Sequence, residues 1–198
     1  MENPTVKPAK ESANEERKRR AREGLAEARE FIYLAVAFFL IGAVIGFAFP
    51  ESFRPFFMDF EEYLEDRFAG RDALVTILLI FIQNFMAAVI AIIFGFLLGL
   101  VPVLSAVTNG ILLGVVISML AGSNQLLDLW KILPHGIFEL PAIFIAWGLG
   151  IWCGAWFFRK DRSETLGSRR RKAALAFFVY SLPLLGIAAV IEGLLITL

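Results

Sequence analysis

Residues 73–121 read ALVTILLIFIQNFMAAVIAIIFGFLLGLVPVLSAVTNGILLGVVISMLA, a stretch that contains no charged side chain. As a single α-helix it would be about 73 Å long, more than twice the roughly 30 Å hydrocarbon core of a bilayer. The stretch must therefore fold back as two membrane spans, which we place at residues 73–100 and 103–121. Pro102 is the predicted break between them, because proline lacks a backbone donor and clashes with the preceding helical turn.

Three further stretches are long and apolar enough to cross a bilayer, namely residues 31–49, 134–158 and 173–198. Hydrophobic residues make up 58% of the chain, which exceeds the roughly 45–50% typical of soluble domains. Lipid must therefore be the solvent for much of this surface. The sequence predicts an all-α, polytopic membrane helix bundle with five transmembrane helices.

The segments around the first span are charged. Residues 1–30 mix acidic and basic side chains with few bulky apolar ones, which predicts a solvated, partly helical arm. A signal peptide is disfavoured there, because the arm is too long and no Ala-x-Ala pattern precedes Pro50. Residues 53–70 are acidic and carry apolar side chains at helical spacing, which predicts an amphipathic helix on the membrane surface.

Loop charge predicts the orientation of the bundle. With five spans, the basic clusters at residues 17–22 and 169–172 fall on one side of the membrane and the acidic surface helix falls on the other. Basic residues near span ends are retained in the cytoplasm. We therefore expect a multi-pass protein of the plasma membrane, with a cytoplasmic amino terminus and an outside carboxyl terminus.

Glu139 and Glu192 are the acidic residues within the predicted spans, and both lie near the outer ends of their helices. His135 shares a helical face with Glu139, so the three side chains could converge. A carboxylate at membrane depth must be paired, protonated or hydrated. The trio is therefore interpreted as a polar clamp between two helices, as a proton or divalent-cation site, or as a metal site with His135, Glu139 and Glu192 as ligands.

Further polar and helix-breaking residues lie inside the spans. Asn84 and Asn109 could extend the buried polar or ion site, or could bridge helices through their amides. Interrupted helices expose unpaired backbone groups, which is a common way to build an ion or substrate site. The predicted helix breaks are Pro102, Gly110, Pro134, Gly136 and Pro141.

Four glycine pairs at i, i+4 spacing predict close helix packing: Gly42/Gly46, Gly95/Gly99, Gly110/Gly114 and Gly150/Gly154. They can serve packing within the bundle or a homodimer interface. A homo-oligomer is expected, with a dimer favoured.

No enzyme class is indicated by the sequence. With one histidine, the chain cannot form a His-Glu-x-x-His metal pair, and it has neither a Gly-x-Ser-x-Gly elbow nor a phosphate-binding loop. A metal-dependent membrane enzyme remains a minor alternative. Cys153 cannot form an intrachain disulfide, no cofactor is indicated, and the formal net charge of +0 gives no reason to expect a nucleic-acid partner.

One set of motifs resembles a known family. Asn84-Phe85, Asn109-Gly110 with Gly114, and LPHGIFELPA at residues 133–142 occur in the order seen in the stage II sporulation protein M family. In sporulating bacteria the family's namesake anchors cell-wall hydrolases in the membrane during engulfment of the forespore. The resemblance implies a membrane scaffold or anchor for a membrane or peripheral protein partner, arranged around the polar site. A small permease that moves ions or protons is the alternative.

Overall fold

The computed structural model describes residues 6–68, 70–122, 129–159 and 164–197, with side chains at 12–59, 62–63, 70–122, 136–159 and 164–195. The helices are, in chain order, α1 (Val6–Ala48), α2 (Pro50–Phe68), α3 (Ala73–Ile93), α4 (Leu100–Gly122), α5 (Leu129–Gly154), α6 (Leu166–Ala176) and α7 (Leu182–Thr197). Short 3-10 segments end α3 at Phe94–Phe96 and α5 at Ala155–Phe158, and a π-helical turn at Phe177–Ser181 joins α6 to α7.

The predicted fold class is confirmed: the described residues form helices and no strands. Five helical stretches of this part of the chain are long and apolar enough to cross a membrane: Ser12–Ala48, Ala73–Phe96, Leu100–Gly122, Gly136–Phe158 and Leu166–Leu195. The charged arm and the first span form one helix, α1. The predicted surface helix corresponds to α2.

The hairpin between α3 and α4 turns three residues before the predicted position. The chain reverses at Leu97–Gly99, where Leu98 and Gly99 have φ angles of 56° and 76°. Glycine takes this left-handed conformation without a steric penalty. Pro102 is therefore not the break, and it lies buried in the first turn of α4. Proline is tolerated there because the first backbone N–H groups of a helix have no partner within it.

The other predicted helix breaks are also wrong. Gly110 lies inside α4, and Pro134, Gly136 and Pro141 lie inside α5, which begins at Leu129. A glycine inside a helix lowers the stability of that helix by only about 1 kcal/mol relative to alanine, so glycine with no turn-forming neighbour does not end a helix. Proline removes one helical hydrogen bond, and membrane helices tolerate the loss when neighbouring groups satisfy the freed carbonyl.

α5 is the central helix of the bundle. It contacts α1, α3, α4 and α7, and residues 146–154 are all buried. Trp147 and Trp152 are 3% and 1% exposed, so even the largest side chains of this helix are enclosed. The other spanning helices pack around it.

α1 and α4 pack side by side along their glycine pairs. A Cβ atom added to Gly42 would meet the backbone of Val107, and one added to Gly110 would meet the backbone of Phe39. Gly46 and Gly114 make the same kind of contact one turn further along. Because the contacting residues of α1 and of α4 both increase in number from one contact to the next, the two helices run parallel. Only glycine, which has no Cβ atom, permits the backbones to approach this closely.

The remaining glycine pairs join α3 to α5. Gly95 lies against the backbone of Gly150, and Gly154 lies against Gly95 and Gly99. Each of the four predicted pairs thus has an intrachain neighbour. A homodimer stays a prediction, and it would need a face other than these.

The two basic segments lie at one end of the bundle. Gly24 in α1 packs against Lys172 in α6, whereas α2 follows the opposite end of α1. We call these the basic end and the acidic end.

We expect Gly110→Ala to destabilise the bundle by about 1–3 kcal/mol, because the new methyl group would press on the Phe39 carbonyl. Denaturation in detergent measures the loss. Gly186→Ala is the matched control, since a Cβ there meets nothing within 4 Å, and it should be neutral or stabilising by up to about 1 kcal/mol. Equal effects of both substitutions would contradict the packing role.

Candidate functional site

Glu139 and Glu192 lie on the buried stripes of α5 and α7. Glu139 is one turn before the buried residues Ala142 and Ile143, and Glu192 is one turn after the buried Ala188. Both side chains are partly buried. Since α5 and α7 are in contact and an electrostatic interaction links the two carboxyl groups, the structure brings the pair together.

The glycine contacts give the relative depth of the two acids. Gly193 touches Ile77, and Gly150 touches Ala91. Gly154 touches Gly95 one turn further along both helices, so α3 runs parallel to α5. α7 lies in the span that follows α5, so it crosses in the opposite direction to α5 and α3. Counting along each helix at 1.5 Å per residue from these contacts puts Glu139 and Glu192 within about 3 Å of the same depth.

Two polar side chains of α3 lie on the face that packs against α5 and α7. Thr76 is completely buried and its hydroxyl has no hydrogen-bond partner, and the Gln83 side-chain oxygen is likewise buried and unpartnered. Buried polar groups normally have partners. By the same counting, Thr76 lies on one side of the depth of the two acids and Gln83 on the other, about 10 Å apart along α3.

The structure does not bring all predicted site residues together. The Asn109 side chain is exposed, and its amide donates to the Ser105 carbonyl at 2.8 Å, so it is satisfied within α4. The Asn84 side chain is half-buried on α3, next to Gln83. The His135 side chain lies outside the described residues. Its part in the site, and the three-ligand metal site, stay predictions. Among the described side chains, no three of His, Cys, Asp and Glu cluster as metal ligands would.

A second polar group lies at the basic end and surrounds Arg169. This side chain is 2% exposed, and its guanidinium bonds the Glu164 carboxylate at 3.1 Å. It also donates to the Trp152 carbonyl at 2.9 Å and lies 4.8 Å from the centre of the Trp152 ring. The 3-10 turn after Gly154 ends α5 near this carbonyl, so Arg169 supplies a donor where the regular helix stops.

Lys172 extends the group to α1. Its ammonium contacts Glu27 at 2.6 Å and Glu164 at 2.9 Å. Three helices are thus joined by one chain of ion pairs and hydrogen bonds: α1 through Glu27, α6 through Lys172 and Arg169, and α5 through the Trp152 carbonyl. We call these four residues with Glu164 the basic-end network.

No signal in the sequence separates Arg169 from its neighbours. The four basic residues at 169–172 are equivalent in the sequence, as a basic cluster next to the last predicted span. A buried arginine is rare without a partner, so the sequence alone predicts that all four are exposed. Glu164, the partner, precedes it by five residues across the start of α6, a spacing that helical periodicity does not highlight. The N-cap of α6 follows the usual pattern: the Thr165 hydroxyl accepts a hydrogen bond from the Ser168 backbone N–H at 3.2 Å, as expected at the start of a helix.

The basic-end network predicts an acid-sensitive contribution to stability. Burial raises the pKa of Glu164, but hydrogen bonds from Lys172 and Arg169 outweigh it and hold this pKa below its usual value of 4.5. The folded state therefore favours the carboxylate. Its contribution is complete above the unfolded pKa and is lost as the pH falls through the folded pKa.

We expect Glu164→Gln to lower the melting temperature at pH 7 and to have a smaller effect in acid, once the pH has fallen below the lowered pKa of Glu164 in the folded state. Thermal unfolding in detergent across this range measures the difference. Glu51→Gln is the matched control, because Glu51 also pairs with an arginine but is 75% exposed, and exposed pairs contribute little. A pH-independent effect of Glu164→Gln would contradict the assignment.

Comparison with known proteins supports the motif-based resemblance. A family model described as stage II sporulation protein M matches residues 35–195, a range that includes both Glu139 and Glu192. No curated protein and no solved structure matches the chain. Because the family match covers most of the chain, this membrane protein belongs to the stage II sporulation protein M family.

Proposed function

We propose that this chain is a membrane scaffold that holds a membrane or peripheral protein at the basic end of its helix bundle. The observation that carries the proposal is the continuity of α1 from Val6 to Ala48. Such a helix is about 64 Å long, about twice the thickness of the membrane core. Half of it is therefore available as a rigid surface beyond the lipid.

The first half of α1 has an exposed part and an anchored part. Residues 12–19 are exposed on every side. Ala21, Gly24 and Ala28 are buried, and Gly24 packs against Lys172. The exposed part is thereby held at a fixed angle to the bundle, as docking of a partner requires.

Ion pairs along the exposed part support the same reading. Arg19 bonds Glu23 at 3.0 Å, and Lys18 contacts Glu15 at 3.5 Å. Pairs at this spacing stabilise an exposed helix by only a few tenths of a kcal/mol each. The surface of this exposed part of α1 is charged and faces water, which suits a polar protein partner. On this proposal the chain catalyses no reaction, and Glu139 and Glu192 serve as a polar clamp between α5 and α7.

Site-specific photocrosslinking in intact membranes tests the scaffold. A photoreactive amino acid at Ser12 or Glu16 should give one discrete protein adduct, because both side chains are exposed beyond the anchored part. The same probe at Leu104, an exposed apolar residue of α4, should label lipid and is the control. The scaffold proposal fails if the α1 positions give no protein adduct.

A second candidate function is a small permease for protons or cations. The unpartnered oxygens of Thr76 and Gln83 beside two acids favour it, because transport sites present polar groups at membrane depth. The continuity of α4 and α5 favours the scaffold, since many transporters build their sites from interrupted helices.

Flux measurements separate the two candidates. The scaffold predicts that liposomes containing the protein show no more proton or cation flux than empty liposomes. It also predicts that Glu139→Gln lowers thermal stability in detergent. Flux that is present in the wild type and disappears in a stably folded Glu139→Gln variant would establish the permease instead.

We further propose that the basic end faces the cytoplasm of a cell bounded by this plasma membrane, and that the carboxyl terminus lies outside. Support comes from the two basic segments at one end of the bundle, since basic loops are retained in the cytoplasm.

A further inference from the structure

We propose that Glu139 and Glu192, together with the side-chain oxygen of Thr76, bind one divalent hard cation of the calcium type between α3, α5 and α7. The inference concerns the acid pair that the scaffold uses as a clamp, and it assigns the ligand that makes this clamp work. It does not depend on partner binding or on transport.

Charge balance is the first argument. The apolar helices contain no lysine or arginine within residues 31–48, 73–96, 100–122, 136–158 and 173–195. Arg169 and Lys172 are committed to the basic-end network, at the opposite end of the bundle. Two carboxylates at membrane depth thus have no basic partner among the described side chains. A buried carboxylate without compensation costs several kcal/mol.

Unpartnered oxygens are the second and independent argument. Thr76 is fully buried, and its hydroxyl oxygen has no partner. It precedes Ile77, which touches Gly193, the residue next to Glu192. Gln83 lies two turns further along the same face of α3, and its buried oxygen can only accept. The Thr76 oxygen therefore lies available to a positive ligand on the side of α3 that faces the acids, whereas the Gln83 oxygen, about 10 Å further along α3, is too distant to share the same ion.

The donor chemistry selects the class of cation. All three side chains offer oxygen, which suits calcium or magnesium and not the softer transition metals that prefer nitrogen and sulfur. One divalent ion neutralises both carboxylates, whereas a sodium ion would leave one negative charge in the lipid. Magnesium requires near-ideal octahedral geometry and retains waters, so an irregular site between three helices favours calcium.

Such an ion would contact three helices at once. α7 contacts α3 and α5, so oxygens from all three can approach one point near the acidic end. Helices in lipid lack a hydrophobic force that drives them together. A shared ion would supply a strong, specific interaction at the end of the bundle that lies away from the basic-end network.

Calcium titration of the full-length protein in detergent tests the inference. After removal of divalent ions with a chelator, we expect one calcium ion to bind per chain, measured by equilibrium dialysis, and the melting temperature to rise with calcium concentration. Glu139→Gln and Glu192→Gln should each weaken binding by more than about tenfold. Glu62→Gln, an exposed acid on α2, is the control and should leave binding unchanged.

A further variant keeps the test decisive if the acid variants do not fold. Thr76→Val preserves size and removes the hydroxyl oxygen, and it should weaken calcium binding while the protein stays folded. Absence of stoichiometric binding to the wild type, or stabilisation by sodium alone, overturns the inference. So does calcium stabilisation that persists in the folded double acid variant. In those cases protein adducts from the α1 positions would still support the scaffold, so the two proposals fail separately.

Discussion

Backbone contact between helices is the interaction on which this bundle depends. Helices in lipid gain no hydrophobic free energy by leaving the acyl chains, so they must approach closely enough for dispersion forces to act over a long contact. Gly42 and Gly110 bring α1 against α4, and Gly95 and Gly150 bring α3 against α5. These two contacts fix which turns of α1 and α4, and which turns of α3 and α5, lie at the same depth.

The bundle holds its charges in two different ways. At the basic end, Arg169 lies among an acid, a carbonyl and an aromatic ring, so the chain itself compensates the charge. Towards the acidic end, Glu139 and Glu192 lie at similar depth on the neighbouring helices α5 and α7, with no basic residue among the described side chains of these helices at that depth. The first arrangement is complete without a ligand. The second needs protons or a cation, which makes it the chemically open part of the molecule.

Much of the fold and part of the site could be predicted from sequence. The uncharged length of residues 73–121 required a hairpin, and counting acids left only Glu139 and Glu192 in the spans. The position of the turn was wrong by three residues, because Pro102 fits the start of a helix as well as a break. Thr76 and Arg169 were missed because burial depends on which helix lies opposite, and local sequence does not encode that neighbour. Asn109 was misassigned for the same reason, since its face of α4 is exposed.

The unbroken course of α1 has a mechanical consequence. Without a flexible joint between Ser12 and Ala48, this helix acts as a lever whose pivot is the anchored contact of Gly24 with Lys172. A load applied to the exposed tip would be transmitted along α1 to the interface with α4, where glycine leaves no compressible side chain between the backbones. A sideways force on the part of α1 outside the lipid would thus act on α4 as well as on α1.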